Sequence, residues 1–233
     1  LEMMRKEFVA NVSHEIKTPI TTIRSYAEAL MEGALEDEAV SGKFLNVITN
    51  ETDRMNRLVT DLLQLSKMDF QEKQWIKEII ELPQIVEDVV MKLDVTVKQK
   101  DMEIDFDFPD KPLTILGDRD SIEQVILNIL GNAIKYTPEG GNIKIRGNLV
   151  NDKVVFSIKD NGIGIPREDL PRVLERFYRV DKARSRDLGG TGLGLSIAKQ
   201  IIEAHLGTIS IDSDYGEGTI VTITFPIYDK NAL

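Results

Sequence analysis

Phe8, Val12, Ile16, Ile20 and Ile23 recur every three or four positions, a spacing that predicts an amphipathic helix over about 3–33. After an acidic turn at Glu36-Asp37-Glu38, a second helix is expected from about Ser41 to Lys67, with Ile48, Met55 and Leu62 spaced by sevens and Leu58 and Leu65 likewise. This pair constrains the fold more than any other feature. Two helices joined by a short loop cannot enclose a core, so the simple expectation is a second copy and a four-helix bundle. Packing of the hairpin against the remainder of its own chain is the alternative. On the first helix His14 lies off the apolar stripe beside Glu15, and Thr18 sits one turn further along on the same side. Pro19 is expected to interrupt the helix there, because it donates no hydrogen bond to the Glu15 carbonyl and its ring crowds it, at a cost of about 3 kcal/mol. An exposed imidazole beside a carboxylate suggests a reactive nitrogen; a surface histidine on a dimer helix fits these few residues equally well.

Beyond about 68–74, which reads as a linker, the pattern changes to alternating strands and helices. Strands are expected at Trp75–Ile80, Met102–Phe108, Leu113–Leu116, Ile143–Leu149, Val154–Lys159, Thr208–Ser213 and Thr219–Phe225. Helices are expected from Leu82 to about Lys98, from a cap at Asp120 or Ser121 to Tyr136, and from Gly194 to His205. Asn151-Asp152 marks a hairpin turn. Strands gathered into one mostly antiparallel sheet with helices on one face make this part an α+β layer. The division is therefore 1–67 for the helical hairpin, 68–74 for the linker and 75–233 for the second domain.

Composition excludes several classes of function. The net charge of −10 argues against a nucleic-acid surface, which needs a basic footprint. The absence of Cys removes thiolate chemistry and Cys-based zinc sites, and His14 and His205 are too few for a histidine-rich metal site. No apolar run reaches the ~20 residues of a membrane span. The chain opens on Leu1-Glu2 already within a helical pattern, and reads as a piece of something longer, with any membrane attachment in segments absent from it.

Three stretches point to nucleotide chemistry. Gly189-Gly190-Thr191-Gly192-Leu193-Gly194-Leu195 runs straight into a helix, so backbone N–H groups and the helix dipole could hold an oxyanion. It does not end in the Gly-Lys-Ser/Thr of a Walker A loop, and a glycine-rich turn can be only a turn. Asp160-Asn161-Gly162-Ile163-Gly164-Ile165-Pro166 follows a strand; its glycines admit a flat ligand and Asp160 could accept the exocyclic amine of adenine, unless it is a surface Asp at a tight turn. Asn128 and Asn132 lie one helical turn apart in an apolar helix that ends in Lys135-Tyr136; buried amides need partners, and their oxygens suit Mg²⁺. Arg176, Arg179, Lys182, Arg184 and Arg186, against Asp181 alone, reverse the sign of the chain locally and suit a triphosphate.

Together and in this order, these stretches resemble the sensor histidine kinases of two-component systems over nearly the whole chain. Ser13-His14-Glu15-Ile16-Lys17-Thr18-Pro19 resembles their H box, Asn128–Tyr136 the N box, and Asp160–Pro166 the first glycine box. Phe177-Tyr178 resembles the F box and Gly190–Leu195 the second glycine box, and the wording around His14 and after Arg176 is closest to the cell-wall-regulating WalK/VicK branch. One departure is His205-Leu206-Gly207 where the family usually has His-Gly-Gly, which makes a left-handed helix end costlier.

The resemblance implies a Bergerat-type α/β sandwich that binds ATP after the dimerising hairpin. Asp160 would hold the adenine amine between Gly162 and Gly164, with Tyr136 beside the base. Asn132 and Asn128 would hold Mg²⁺, and Lys135, Arg179, Gly190, Thr191, Gly192, Leu193 and Gly194 would steady the phosphates under a lid between Gly164 and Gly190. His14 would attack the γ-phosphate, Glu15 would draw the proton from Nδ1, and an Asp of a response regulator receiver domain would take the phosphoryl group. Thr18 would orient water for dephosphorylation of that regulator. An ATPase or serine kinase of the same superfamily, as in gyrase, Hsp90, MutL or anti-sigma kinases, lacks the H box; a scaffolding pseudokinase would not need the intact His14, Asn132 and Asp160.

Overall fold

The computed structural model describes residues 2–69, 75–181 and 190–228. These fall into two compact units: Leu1–Asp69 with Arg176–Leu193, and Phe70–Glu175 with Gly194–Leu233. The sequence boundary near 75 assigns 176–193 to the second domain, whereas the packing groups it with the hairpin.

In the first unit, α1 (Glu2–Met31) and α2 (Glu38–Asp69) form the hairpin. The expected interruption at Pro19 does not occur, and α1 runs through it. One missing N–H is tolerated because its neighbours hold the turn: the Thr18 hydroxyl donates to the His14 carbonyl at 3.1 Å, and Thr21 and Thr22 donate to Lys17 and Thr18. Gly33, at φ 127°, turns the chain into a short 3₁₀ segment, Ala34–Glu36. Helix α2 begins before the expected Ser41, because the Asp37 carboxylate accepts from the backbone N–H groups of Ala39 (3.0 Å) and Val40 (3.2 Å) and so caps it. It also continues past Lys67 into the expected linker, the rest of which, 70–74, lies outside the described residues. Of the heptad residues, Leu58 and Leu65 are buried, while Ile48, Met55 and Leu62 are half-buried. Val9, Ile20, Leu45, Val59 and Leu63 remain largely exposed on the two helices.

The second unit has β1 (Glu78–Glu81), α3 (Leu82–Gln99), β2 (Glu103–Asp107), β3 (Thr114–Gly117), α4 (Arg119–Tyr136), β4 (Asn142–Val150), β5 (Lys153–Asp160), α5 (Gly194–Ala204), β6 (Thr208–Asp214) and β7 (Gly218–Pro226). The single sheet expected from the sequence is two among the described residues. A five-stranded sheet has the order β2-β4-β5-β7-β6, parallel between β2 and β4 and antiparallel elsewhere, and β1 pairs with β3 in a separate two-stranded ribbon. Ile143, Ile145, Val154, Phe156, Ile158, Ile223 and Phe225 alternate onto one buried face, with Ile122, Val125, Ile126, Ile129, Ile197 and Ile201 of α4 and α5 also buried. Residues 75–77 are not strand; instead Trp75 sets its ring edge-on to His205, 4.9 Å between centroids. Asn151 and Asp152 both have positive φ, as the expected tight hairpin requires. Helix α4 is capped two to three residues earlier than expected, by Asp118, whose Oδ1 accepts from the Ser121 N–H at 3.0 Å.

Candidate nucleotide and phospho-acceptor sites

His14 is exposed on α1. Glu15, its neighbour, points elsewhere, as adjacent helical residues do. Its Oε2 accepts from Nη2 of Arg54 on α2 at 2.8 Å and from Nη2 of Arg179. No Glu15–His14 hydrogen bond is made among the described residues, so the expected proton acceptor is held by two guanidinium groups in this structure. Arg54 reaches Glu51 as well, at 3.3 Å. Arg179 is buried; it also donates to the Thr191 carbonyl at 3.1 Å, and its Nε lacks a partner among the described residues.

The other expected phosphate ligands of this unit are similarly engaged. Thr191 donates its hydroxyl to Asp61 Oδ2 at 2.8 Å and accepts from the Leu193 N–H at 3.3 Å. Burial raises the Asp61 carboxyl above its ordinary value, against the lowering effects of the Thr191 hydrogen bond and of Arg57. Gly192 accepts from the Phe177 N–H at 2.9 Å, Phe177 packs against Phe8 at 5.7 Å, and Arg176 forms a two-pronged ion pair with Asp69 at 2.6 and 2.8 Å. Gly190 begins the described stretch that leads into α5; Lys182, Arg184, Arg186 and Gly189 of the expected lid lie outside the described residues.

In the second unit, α4 and the turn after β5 meet at one end of the sheet. Asp160 closes the central strand β5, opposite Ile143 and Thr219 in register, and is 7% exposed. Its Oδ1 accepts from the N–H groups of Gly162 (2.9 Å) and Thr219 (3.2 Å). Burial raises its pKa, and the backbone hydrogen bonds partly oppose that. A Cβ on Gly162 would lie 2.6 Å from the Tyr136 carbonyl and 2.8 Å from Asp160 Oδ1, so only glycine fits against the end of α4. Gly164 has φ 67°, and a Cβ there would meet the Asp214 carbonyl at 2.2 Å. The Ile163 N–H, donated to the Tyr136 carbonyl at 3.2 Å, completes the seam.

Two residues at this seam are placed there by the fold without an announcement in the sequence. The Thr137 hydroxyl, after the last residue of α4, is buried without a partner among the described residues, 3.1 Å from where a Gly162 side chain would begin. Lys100, from the end of α3, donates its ammonium to the carbonyls of Ile134 (2.6 Å), Thr137 (2.5 Å) and Lys135 (3.4 Å), capping α4. Burial lowers its pKa. Neither had a local signal: Lys100 reaches carbonyls more than thirty positions away, and the Thr137 hydroxyl is brought beside Gly162 only by the fold.

The donor set fits adenine, which offers an amine for a carboxylate and ring nitrogens for a hydroxyl. It fits Mg²⁺ more loosely. Asn128 already gives its amide N–H to the Gly194 carbonyl at 3.0 Å, leaving its oxygen, and Asn132 is half-buried one turn on. Lys135 lies over the Tyr136 ring at 5.0 Å. No group of three or more His, Cys, Asp or Glu could hold a metal among the described residues.

Residues 4–71 match the family described as the His Kinase A (phospho-acceptor) domain. Residues 117–229 match the histidine kinase-, DNA gyrase B- and HSP90-like ATPase family, so this part is an ATP-binding domain of that kind. The chain is 49% identical to the sensor histidine kinase WalK of Bacillus subtilis over 232 residues, covering 99% of this chain and 38% of that protein. It is 46% identical to a sensor protein kinase WalK of Staphylococcus aureus, covering 97% of this chain and 54% of that protein. The chain thus spans only about a third to a half of those relatives, by these 38% and 54% shares. Among solved structures, the Acinetobacter baumannii histidine kinase AdeS is similar at TM-score 0.73 and 28% identity, covering 93% of this chain and 98% of that one. Histidine kinase ThkA, in complex with response regulator protein TrrA, is similar at TM-score 0.78 and 28% identity, covering 95% of this chain and 61% of that one. The chain belongs to the sensor histidine kinases, and its paired phospho-acceptor and ATPase domains make it a catalytic core similar to that of WalK.

Proposed function

We propose that this core phosphorylates itself on His14 from ATP and passes the phosphoryl group to an Asp of a response regulator. The observation that carries this reading is the pairing of an exposed histidine, in the phospho-acceptor domain, with a buried adenine-fitting turn at Asp160 in the ATPase domain. The domains are 1–67 and 75–233, joined through 68–74.

Asp160 accepts the adenine amine, with the Thr137 hydroxyl and the Tyr136 ring completing the base site. Asn128, Asn132, Lys135 and Arg179, with Gly190, Thr191, Gly192, Leu193 and Gly194, would hold the phosphate chain and its Mg²⁺, which would neutralise phosphate charge. His14 attacks through Nε2 as a P–N bond forms and the bond from phosphorus to the bridging oxygen of ADP breaks. The Nδ1 proton passes to Glu15. Positioning and charge neutralisation supply most of the acceleration, because the transferring group needs little covalent help.

A receiver domain is the expected partner, as TrrA is for the ThkA structure. The exposed Val9, Ile20, Leu45, Val59 and Leu63 favour a homodimer through the hairpin. Since ATP is the donor, the core works on the cytoplasmic side of a membrane-anchored sensor; among the described residues no helix is long and apolar enough to cross a membrane. Dephosphorylation of the regulator, with Thr18 orienting water, belongs to the same helix face. The test is incubation with γ-labelled ATP and Mg²⁺. The label should be lost in acid and kept in alkali, and His14→Gln should bind ATP yet take up none. Label that persists on that variant, or that resists acid as a serine ester would, favours the serine-kinase reading instead.

A further inference from the structure

Ser213, near the end of β6, is buried, and its hydroxyl is fully engaged. It donates to the Gly218 carbonyl at 2.7 Å, accepts from the Ile165 N–H at 2.8 Å, and lies 3.0 Å from the Thr219 hydroxyl. A hydroxyl is the small group that can donate and accept in this way at once. The identity of the partners matters more than their number. The Gly218 carbonyl and the Thr219 N–H are the two ends of one planar peptide group and point in opposite directions across β7. Ser213 on β6 takes the carbonyl end, and the N–H end donates to Asp160 Oδ1 on β5 at 3.2 Å. The register suits such a relay, with Thr219 opposite Ser213 on one side and opposite Asp160 on the other. Ile165 belongs to the turn after β5, and in that turn the Gly162 N–H is a second donor to Asp160 Oδ1, at 2.9 Å. One side chain thus braces both backbone segments that grip the carboxylate.

We infer that Ser213 is a positioning residue for nucleotide binding: it fixes the Gly218–Thr219 peptide and the Ile165 backbone, and through them the Asp160 carboxylate that meets the adenine amine. The inference rests on the proposed function and adds to it a residue that touches no nucleotide. Asp160 is buried, so the N–H groups from which it accepts, more than water, set the orientation of its carboxylate. Those donors are backbone groups, and each is only as well aimed as the peptide that carries it. Without the Ser213 hydroxyl the peptide is no longer held at its carbonyl end, and the Ile165 N–H loses its acceptor. A carbonyl that accepts also makes the N–H of its own peptide a stronger donor, so the hydroxyl strengthens the Thr219 contact as well as aiming it. A hydroxyl that only closed the end of β6 would make the same contacts; the two roles differ in what its loss does to the choice of base.

The experiment is calorimetry of the full chain with Mg-ADP and with Mg-IDP, whose base carries a carbonyl where adenine has its amine. The parent should prefer ADP. Ser213→Ala should weaken ADP about three- to ten-fold, a part of the loss expected for Asp160→Asn, and leave IDP within about two-fold, so that the preference shrinks. The double variant of Ser213→Ala and Asp160→Asn should bind ADP within about two-fold of Asp160→Asn alone, because Ser213 acts through that carboxylate. A side chain that only ties strand ends would weaken both nucleotides alike and multiply with Asp160→Asn. Either result, or an unchanged ADP affinity in Ser213→Ala, overturns the inference. Should urea unfolding show that Ser213→Ala no longer folds, Ser213→Cys takes its place: a thiol fills the site but donates and accepts weakly, and the same loss of preference is expected. A parent that binds both nucleotides alike, or an Asp160→Asn variant that keeps the preference, removes the adenine contact from the proposed function and this inference with it. An Asp160→Asn variant that loses the preference beside an unaffected Ser213 variant removes the inference alone.

Discussion

Leu206→Gly should stabilise the second unit without changing nucleotide affinity. Leu206 follows α5 with φ 58°, a left-handed conformation that L side chains avoid. The helix end around it is otherwise well made: the Gly207 N–H reaches back to the Ile202 carbonyl at 2.8 Å, and the Leu206 N–H reaches Glu203 at 3.0 Å. The leucine side chain gains nothing in return, being 80% exposed. Relief of the Cβ clash is worth about 1–2 kcal/mol for a single left-handed residue. Against that stands the extra freedom of Gly in the unfolded chain, about 0.5–1 kcal/mol. The net expectation is a gain of about 0.5–1 kcal/mol, or a rise of roughly 1–4 °C in the midpoint of a domain this size. Trp75 is the only tryptophan of the chain and packs against His205, one residue away, so its fluorescence reports this unit during urea unfolding. Leu206→Ala is the control: it removes the exposed hydrophobic surface but keeps the Cβ, and should leave the urea midpoint nearly unmoved. A neutral or destabilising Leu206→Gly, or an Ala variant as stable as the Gly one, would refute the conformational argument.

Asp160→Asn should weaken ADP binding by at least about ten-fold in calorimetry, since a hydrogen bond to a charged group is lost, and yet stabilise the nucleotide-free unit at neutral pH. The sign follows from burial: the folded pKa lies above the usual 3.8, so the folded state holds its proton longer than the unfolded one, and stability falls as pH rises from about 3.8 through the raised folded value. The Asn variant should lack that fall in urea titrations. Thr18→Ala should keep autophosphorylation within a few-fold while lowering regulator dephosphorylation about ten-fold or more, on the order of 1.4 kcal/mol of barrier; equal loss in both assays would mean that the hydroxyl only braces the turn at Pro19. Lys100→Met leaves carbonyls at the end of α4 unpaired and should destabilise the second unit by about 1–3 kcal/mol, read by Trp75 fluorescence.

The helices and the long strands were legible because their apolar spacing is a local property. Their ends were less so. Asp118, Asp120 and Ser121 are all good caps by type, and only the structure shows that Asp118 has both the Ser121 N–H and, through its second oxygen, the Ile76 N–H within reach. The same holds for Asp37 ahead of α2, which lay in an acidic run that reads simply as a turn. Strand pairing was not legible: the alternation in β1 and β3 says which faces are apolar and nothing about partners, so their separate ribbon could not be told from two more strands of the main sheet. Glycines at 162 and 164 were readable as demands on the backbone, whereas Lys100 and Arg54 act on elements far away in sequence and look like ordinary surface charges.

The proposed phosphate ligands show where motif reading stops for a physical reason. The family resemblance implies a phosphate for Arg179 and Thr191, and in the structure both donate to anionic oxygens, those of Glu15 and Asp61. A guanidinium or hydroxyl satisfied by a carboxylate is equally suited to a phosphate oxygen, because both present localised negative charge at similar hydrogen-bond distances. The sequence therefore identifies the donors but leaves the anion open. Asp61→Asn separates the two, since it weakens the acceptor of the Thr191 hydroxyl while leaving every proposed nucleotide ligand, Thr191 included, unaltered. If the carboxylate competes with phosphate for that hydroxyl, ADP should bind several-fold more tightly to the variant. Unchanged or weaker binding would show that Asp61 and the nucleotide do not share Thr191.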